Sequence, residues 1–362
     1  DEIKALQVIH KAFFNLEGCH INLFLVGTGL VGSTLLKQIK SSNASIRLCG
    51  LANSNSAHFD SKGVSMQSWQ KELAQGKLIS IRDFVERMVE CNLTNSVFVD
   101  CTASEEIVSV YESVMKAGIP IVTPNKKANS GSFELYQKLR NLAKKNNAPF
   151  LYETNVGAGL PIIHTIQSLV SSGDEVIKIE AVLSGTLSYI FNTFSSSSEV
   201  FDQIIRNAKA KGYTEPDPRD DLNGMDVARK ILILARETGL KLELEQIRVK
   251  PILPQKCFAV NSIDDFFVEL EKLNDDFEKK KTQALKQNKV LRYIATLENG
   301  KAEVKLQAVS QNHPFFQLSG NDNIISITTK RYSNTPLVIK GPGAGAEVTA
   351  GGIFANILSI FK

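Results

Sequence analysis

Cysteine and histidine are scarce in this sequence. Its 362 residues include five of each. The cysteines are scattered, odd in number and without a CxxC pair, so neither a disulfide framework nor a zinc site is expected. The pattern favours a reducing, cytoplasmic compartment, and a chain of this length buries enough apolar surface to fold without cross-links.

Long apolar runs and a strong charge of one sign are also missing. No stretch approaches the roughly 20 apolar residues that a membrane-spanning helix needs, and no signal-peptide pattern is seen. The 42 basic and 38 acidic residues leave a net charge of +4, which is near neutral for this length. Neither a membrane nor nucleic acid is therefore expected as a partner.

Strands and helices alternate in the first half of the chain. The apolar run from Ile21 to Val26 is typical of a buried parallel strand, and helical spacing follows it. Further strands are expected in IRLCGLANS, SVFVDCTAS, IPIVTPNKK and APFLYET. This alternation predicts an α/β fold with a doubly wound, Rossmann-type parallel sheet. After residue 160, helices, a surface loop at SSSS (195–198) and antiparallel strands with a turn at Asn299-Gly300 predict a second, α+β domain.

A glycine-rich motif stands between the first predicted strand and helix. Gly27-Thr28-Gly29-Leu30-Val31-Gly32 has the spacing GxGxxG of a dinucleotide-binding turn. The glycines permit a tight turn, close approach of the backbone to a pyrophosphate, and close packing of helix on strand. The helix N-terminus would supply amide donors to the phosphates. The alternative is a plain turn between strand and helix.

The end of the second strand bears on the choice of cofactor. An NAD site usually carries Asp or Glu there, which accepts hydrogen bonds from the ribose hydroxyls. This chain has Asn53 and Ser54 in a loop without a carboxylate, which favours NADP or tolerance of both cofactors. The loop holds no arginine, so we expect a mild preference.

Polar residues follow the next two strands. Asp100, Thr102 and Ser104 come after one, and Lys126 and Lys127 after the other. Ligands bind at this edge of such sheets, so a lysine here could reach a carboxylate or a carbonyl. The alternative is a solvated loop lysine, and position alone does not decide between the two.

Acidic residues are concentrated between positions 212 and 240, namely Glu215, Asp217, Asp220, Asp221, Asp226 and Glu237. Asp226 and Lys230 are four residues apart and share one face of a predicted helix. A surface ion pair, worth only about 0.3–0.5 kcal/mol, is the alternative. However, Val227, Ile231 and Leu234 flank that face and indicate partial burial, which suits proton transfer because desolvation lowers a lysine's pKa.

Together these motifs resemble homoserine dehydrogenase. The match runs in order from about residue 20 to 360, through GTGLVGSTLL, ANS, DCTAS, TPNKKA, ETNVGAGLPII, SGTLSYIFN, GYTEPDPRDDLNGMDVARK and GPGAGAEVTAGG. The resemblance implies an NAD(P)-dependent oxidoreductase that interconverts L-homoserine and L-aspartate 4-semialdehyde, a step towards threonine and methionine. The lead-in VIHKAFF is similar to a segment of bifunctional aspartokinase–homoserine dehydrogenases, so we expect the dehydrogenase portion of such a protein.

The resemblance also implies roles for single residues. Lys230 falls on the proton donor, with Asp226 beside it and Lys126 facing cofactor and substrate. The substrate-binding positions fall on Thr186, Tyr213, Glu215, Asp221 and Asp226. Further cofactor positions fall on Thr102, Gly212 and Gly345. A monovalent-cation site, expected to hold sodium, falls on Glu153, Val156, Ala158 and Leu160. That loop also fits a hinge between domains.

Four parts of the chain are expected from these assignments. They are a lead-in at 1–18, a dinucleotide-binding domain at 19–155, a substrate-binding and dimerisation domain at 156–340, and a Gly-rich loop and helix at 341–362 that return to the nucleotide-binding domain. By resemblance the protein is expected to be a homodimer. Two alternatives stay open: another NAD(P)-linked amino-acid dehydrogenase, and a catalytically idle, cofactor-sensing module.

Overall fold

The computed structural model describes residues 20–361, so the expected lead-in at 1–18 lies outside the described residues. Two compact units are distinguished. Of the described residues, the first unit comprises 20–128, Glu134–Thr154 and 346–361, and the second comprises Asn129–Phe133 and Asn155–Gly345. The expected domain boundaries after residues 155 and 340 remain predictions, because compact units and folding domains need not end at the same residue.

A six-stranded sheet runs through the first unit, in the order β3-β2-β1-β4-β5-β6. Its strands are β1 (Ile21–Val26), β2 (Ile46–Ala52), β3 (Ala57–Phe59), β4 (Ser96–Asp100), β5 (Ile121–Val122) and β6 (Phe150–Leu151). All neighbours pair in parallel except β2 and β3. The doubly wound prediction is confirmed, with a short antiparallel edge strand that it did not include.

Fifteen α-helices are described between residues 20 and 361. They are α1 (Leu30–Lys40), α2 (Trp69–Ala74), α3 (Ile81–Glu90), α4 (Tyr111–Lys116), α5 (Lys127–Ser130), α6 (Phe133–Asn146), α7 (Ile163–Ser171), α8 (Gly185–Ser196), α9 (Phe201–Ala210), α10 (Pro218–Leu222), α11 (Met225–Glu237), α12 (Gln255–Phe258), α13 (Ile263–Glu271), α14 (Asn274–Lys286) and α15 (Ala346–Ser359). Short 3₁₀ helices lie at Glu106–Val110, Glu153–Asn155 and Leu244–Gln246. None of the described helices is long and apolar enough to cross a membrane.

The two faces of the first sheet carry different side chains. Leu23 and Val97 belong to a mostly aliphatic cluster that includes side chains of α1 and α15. On the opposite face, Phe24 and Phe98 belong to a chain of ring contacts that extends to Phe59, Phe84, Tyr111, Phe150 and Tyr152. Because successive strand residues point to opposite faces, a continuous apolar strand fills both cores.

The second unit contains a mostly antiparallel sheet in the order β12-β11-β7-β9-β10-β8. Its strands are β7 (Val176–Val182), β8 (Arg248–Val249), β9 (Lys289–Glu298), β10 (Lys301–Ser310), β11 (Asp322–Thr329) and β12 (Leu337–Pro342). The turn between β9 and β10 lies at Asn299 and Gly300, with φ of +51° and +70°, as predicted. Only the two-residue β8 pairs in parallel, with β10.

The serine run at 195–198 was expected to be a surface loop, and this is wrong for its first half. Helix α8 continues to Ser196. The Ser196 hydroxyl donates to the Asn192 carbonyl at 2.9 Å, and Ser195 Oγ accepts from Leu291 N at 3.3 Å. Serine favours loops because it competes for backbone groups, but here those bonds are made within and beside the helix.

Candidate active site

The three glycines after β1 have three different surroundings. Gly27 has a φ of +92°, and a Cβ built on it would lie 2.7 Å from the Cys101 carbonyl carbon. A Cβ on Gly32 would lie 2.0 Å from the Gly27 carbonyl oxygen, so the close approach of α1 to β1 requires glycine. A Cβ on Gly29 would meet no described atom within 4 Å. The backbone at Gly29, where α1 begins without a side-chain cap, is therefore open to a ligand.

The predicted ribose loop is held by its own side chains. Asn53 Oδ1 accepts hydrogen bonds from Asn55 N at 2.8 Å and Ser56 N at 2.9 Å. Ser54 Oγ donates to Asn55 Oδ1 at 3.3 Å. The carbonyl side of the Asn53 amide is thus used by the turn, which leaves its NH₂ group as the part that can face a ligand.

The ends of β4 and β5 are joined through a buried carboxylate. Asp100 Oδ1 accepts from Thr102 N at 2.7 Å, and Oδ2 accepts from Tyr111 Oη at 2.6 Å and Asn125 Nδ2 at 3.1 Å. The position of Asp100 at the end of a strand suggested that it faces a ligand. This is wrong, because Asp100 is fully buried. Burial raises the pKa of Asp100, and the hydrogen bonds oppose this rise.

Two residues predicted to bind cofactor lie on these strand ends. Thr102 is half-buried, and a Cβ built on Gly27 would lie 2.9 Å from its Cγ2. Lys126 is also half-buried and directly precedes α5. Its neighbour Lys127 lies 3.8 Å from the exposed carboxylate of Glu105. The first unit therefore brings Thr102 against the glycine turn.

Lys230 lies on α11 one turn after Asp226, as its spacing predicted. Its Nζ is 2.7 Å from Asp226 Oδ2 and 2.7 Å from the Leu183 carbonyl oxygen. The Lys230 side chain is 12% exposed and that of Asp226 46%, so the expected partial burial is confirmed. An ammonium carries three N–H groups, and these two contacts use two of them.

Hydrogen bonds connect the predicted substrate residues to the β7–α8 junction. Thr186 Oγ1 donates to the Tyr213 carbonyl at 2.6 Å, and Asp221 Oδ2 accepts from Glu215 N at 2.8 Å. Burial raises the pKa of the Asp221 carboxyl. The charges of Glu215 and Asp226 raise it further, against hydrogen bonds from Glu215 N and the Thr186 side chain. The Asp221 carboxylate is therefore repelled by two neighbouring carboxylates.

Other acids of the same segment have structural partners. Asp217 caps α10 and pairs with Arg219 at 2.6 Å, and this guanidinium lowers the pKa of Asp217. Glu237 accepts a hydrogen bond from Gln167 at 2.7 Å. Spacing alone could not separate these acids from Glu215 and Asp221.

Two features of this region were missed. The Leu183 carbonyl carries no signal in the sequence, because any residue supplies one. Tyr189 lies edge-on to Tyr213 at 4.8 Å between ring centroids, and its hydroxyl is 2.9 Å from Lys211 Nζ. Gly212, between Lys211 and Tyr213, has a φ of +70°. An aromatic pair at this separation in sequence gives no local periodicity to detect.

Comparisons with known proteins match both halves of the chain. Residues 161–358 match the family described as homoserine dehydrogenase, and residues 27–153 match the homoserine dehydrogenase NAD-binding domain. A homoserine dehydrogenase from Schizosaccharomyces pombe is 40% identical, over 95% of this chain and 96% of that protein. The chain belongs to the homoserine dehydrogenase family.

Two further proteins are similar to this member of the homoserine dehydrogenase family. A chloroplastic bifunctional aspartokinase/homoserine dehydrogenase 1 from Zea mays is 42% identical over 99% of this chain, which spans 40% of that protein's length. The crystal structure of a Candida auris protein of unknown function is 37% identical, with a TM-score of 0.89 over 94% of this chain and 98% of that one. The fold is therefore that of a homoserine dehydrogenase with a nicotinamide-cofactor domain.

The family's predicted cation loop has unusual backbone geometry. Gly157 and Ala158 have φ of +76° and +53°, and the buried hydroxyl of Thr154 has no hydrogen-bond partner among residues 20–361. Glu153 begins a 3₁₀ helix, and the Leu160 amide donates to the Gly157 carbonyl at 3.0 Å. Within residues 20–361, no cluster of three or more His, Cys, Asp and Glu could hold a metal. A site built largely of backbone carbonyls is of another kind and stays a prediction.

Proposed function

We propose that this chain catalyses the reversible, NADP-dependent interconversion of L-homoserine and L-aspartate 4-semialdehyde, a step towards threonine and methionine. The observation that carries the proposal is the ammonium of Lys230, held between Asp226 and the Leu183 carbonyl. The same unit holds the carboxylates of Glu215 and Asp221. A fixed proton donor with carboxylates suits a substrate that has both an aldehyde oxygen and an ammonium group.

Lys230 supplies the proton that the aldehyde oxygen takes up, and in the opposite direction its amine accepts the proton of the homoserine hydroxyl. Asp226 and the Leu183 carbonyl hold the ammonium in one place, so that less reorganisation is needed at the moment of transfer. The nicotinamide, when bound, supplies or accepts the hydride. Lys126 is a second cation for the carboxylate or carbonyl of the substrate.

The substrate ammonium is held by Glu215, Asp221 and Asp226. Burial and the two neighbouring carboxylates make ionisation of Asp221 unfavourable, as its raised pKa shows. A bound ammonium offsets that repulsion through charged hydrogen bonds. The Thr186 hydroxyl, at the start of α8, donates to the Tyr213 carbonyl and so holds the segment between α9 and α10 that carries Glu215.

The cofactor's pyrophosphate fits the turn from Gly27 to Gly32, including Thr28, Leu30 and Val31. The open backbone at Gly29 and the uncapped start of α1 support this assignment. Asn53 and Ser54 offer no carboxylate to repel a 2′-phosphate, which favours NADP with NAD also accepted. Thr102 and Lys126, with Gly212 and Gly345, serve the nicotinamide end.

The cation, sodium by expectation, is assigned to Glu153, Val156, Ala158 and Leu160. Two observations support an oxygen-rich site in this loop: the buried hydroxyl of Thr154, which has no hydrogen-bond partner within the described part of the chain, and the left-handed backbone at Ala158. These residues would hold the ion as a structural group. No proton or hydride step is assigned to it.

The expected homodimer and the fusion to an aspartokinase are also proposals. The name of the maize relative supports the fusion, and the S. pombe relative is named only as a homoserine dehydrogenase. We also propose a cytoplasmic location, which rests only on the scattered cysteines. Size-exclusion chromatography with light scattering tests the dimer, and a mass near that of one chain would contradict it.

Oxidation of NADPH tests the function, with two aldehydes that differ in one group. L-aspartate 4-semialdehyde carries the α-ammonium, and succinate semialdehyde lacks it. We expect turnover of the first and a kcat/KM lower by roughly 100-fold or more for the second, since the charged hydrogen bonds between the ammonium and the carboxylates are lost. Equal rates would point to a different aldehyde dehydrogenase or reductase, and no rate with either would point to the idle cofactor-sensing module.

A further inference from the structure

We propose that Asp100 and Asn125 form a clamp that positions the nicotinamide end of the cofactor site. The clamp, meaning these two residues, joins the loop after β4 to the loop after β5. The proposal rests on the proposed function, because that function assigns Thr102 and Lys126 to the cofactor. Neither residue of the clamp touches the cofactor in this account, and both act through the loops that they hold.

The contacts connect both loops at once. Asp100 Oδ1 accepts from Thr102 N at 2.7 Å, and Oδ2 accepts from Asn125 Nδ2 at 3.1 Å. Asn125 Nδ2 also donates to the Ser104 carbonyl at 2.8 Å, and Asn125 Oδ1 accepts from Lys127 N at 3.0 Å. Two side chains therefore fix the backbone on both sides of Thr102 and directly after Lys126.

The clamped loop also lies against the glycine turn. Cys101 N donates to the Val26 carbonyl at 2.8 Å, just before Gly27. A Cβ on Gly27 would lie 2.7 Å from the Cys101 carbonyl carbon and 2.9 Å from Thr102 Cγ2. A shift of Thr102 would therefore press on the turn that is proposed to hold the pyrophosphate, or open a gap beside it.

Stability alone does not explain why an aspartate stands at position 100. Asp100 is fully buried, and its contacts at Thr102, Tyr111, Thr123 and Asn125 are all to uncharged groups. A buried charge without a cation is costly, and apolar side chains of similar size usually serve stability as well or better. An ionised carboxylate, however, accepts hydrogen bonds from several directions, which an apolar group cannot do.

The second unit offers a control for the same substitution, at a carboxylate whose pKa is lowered because hydrogen bonds and the Arg331 charge outweigh burial. Asp174 is also buried and accepts from Thr329 Oγ1 at 2.7 Å, Glu175 N at 2.9 Å and Arg331 N at 3.2 Å. It precedes β7, whereas Leu183 follows the other end of that strand. Asp174→Asn therefore makes the same chemical change at a buried aspartate that lies at no proposed site.

The test compares Asp100→Asn with Asp174→Asn. Asparagine can accept on only one side. At position 100 its NH₂ would face Thr102 N or the NH₂ of Asn125, whereas at position 174 it can face the Thr329 hydroxyl, which also accepts. Both variants lose a charged acceptor and should lose thermal stability. We expect Asp100→Asn to raise the NADPH dissociation constant by about 10-fold or more and to lower kcat, with the KM for homoserine changed by less than about 3-fold. Asp174→Asn should keep the NADPH dissociation constant and kcat within about 2-fold of the unmodified chain.

Two results would overturn the proposal. One is an Asp100→Asn variant that has a lower melting temperature but near-normal NADPH affinity and kcat. The other is an Asp174→Asn variant that loses as much NADPH affinity as Asp100→Asn. If Asp100→Asn does not fold, Asn125→Ala is judged by the same criteria, since it removes the link to Ser104 and Lys127. NADPH affinity is measured without substrate. If the unmodified chain binds NADPH but does not turn over homoserine, the proposed function is wrong. The NADPH affinities of Asp100→Asn and Asp174→Asn can still be compared in that case.

Discussion

The predicted cofactor site and the predicted substrate site are built from different kinds of group. The first uses backbone and neutral side chains, with an open amide surface at Gly29 and a self-capped turn at Asn53. The second uses charge, with Lys230 fixed by Asp226 and with Asp221 under repulsion. In the proposed function, phosphate recognition would depend on the absence of side chains, and proton transfer would depend on ionisable side chains held in place. Substitutions in the two regions should therefore change different kinetic parameters.

The largest effect is expected for Lys230→Ala. Loss of the general acid should lower kcat by roughly 10²- to 10⁴-fold. Lys286→Ala, on the exposed face of α14, is the control and should leave kcat unchanged. Steady-state assays in both directions measure this. A variant that keeps more than about a tenth of the kcat would remove Lys230 from the role of proton donor.

The substrate carboxylates should affect KM more than the cofactor constants. Glu215→Gln and Asp226→Asn each remove a charged hydrogen bond, worth about 1.5–3 kcal/mol, so kcat/KM for homoserine should fall roughly 10- to 150-fold. Asp220→Asn, a neutralisation of the exposed neighbouring acid, is the control. If both variants bind homoserine normally, these carboxylates are surface acids and not the ammonium site.

A smaller effect, on cofactor preference, is expected for a substitution in the loop at Asn53. Asn53→Asp keeps an oxygen for the hydrogen bonds from Asn55 N and Ser56 N, and replaces the NH₂ group with a second oxygen. That carboxylate should repel a 2′-phosphate and accept from ribose hydroxyls, so the NADPH/NADH ratio of kcat/KM should fall by about 10-fold or more. Assays with both cofactors decide this, and a strong preference of the unmodified chain for NADH would refute our interpretation of the loop.

The smallest effect concerns stability. Burial, and the charges of Glu215 and Asp226, raise the folded-state pKa of Asp221 above its unfolded value. Its contribution to stability is therefore full below about pH 4 and is lost as pH rises through the raised pKa. Asp221→Asn should raise the melting temperature at pH 7.5 by about 1–3 °C. The gain should shrink towards pH 4, and a constant gain at both pH values would show that charge is not its cause.

Local geometry determined which features could be predicted from the sequence. The glycine turn and the Asp226–Lys230 pair were found because each depends on spacing within one element. The two-residue strands β5 and β6 still followed from alternation, whereas the three-residue β3 was not predicted, because so short a strand carries little pattern.

Contacts that depend on distant parts of the chain were harder to predict. The Thr186 hydroxyl and the Tyr213 carbonyl are 27 residues apart in sequence, and only the family resemblance suggested a shared site. Asp100 could not be recognised as inward-facing, because burial at a strand end depends on Tyr111 and Asn125, which follow it. The Leu183 carbonyl could not be predicted at all, since backbone groups are common to every residue.

Side-by-side measurement of NADPH affinity and kcat in Lys230→Ala and Gly29→Ala tests the division between the two sites most directly. Lys230→Ala should bind NADPH within about 2-fold of the unmodified chain while kcat is lost. Gly29→Ala should fold normally, since its Cβ meets no described atom within 4 Å. It should bind NADPH about 10- to 100-fold more weakly, because that Cβ would occupy the place proposed for the pyrophosphate. Unchanged NADPH affinity in Gly29→Ala, or a large loss of affinity in Lys230→Ala, would contradict the account.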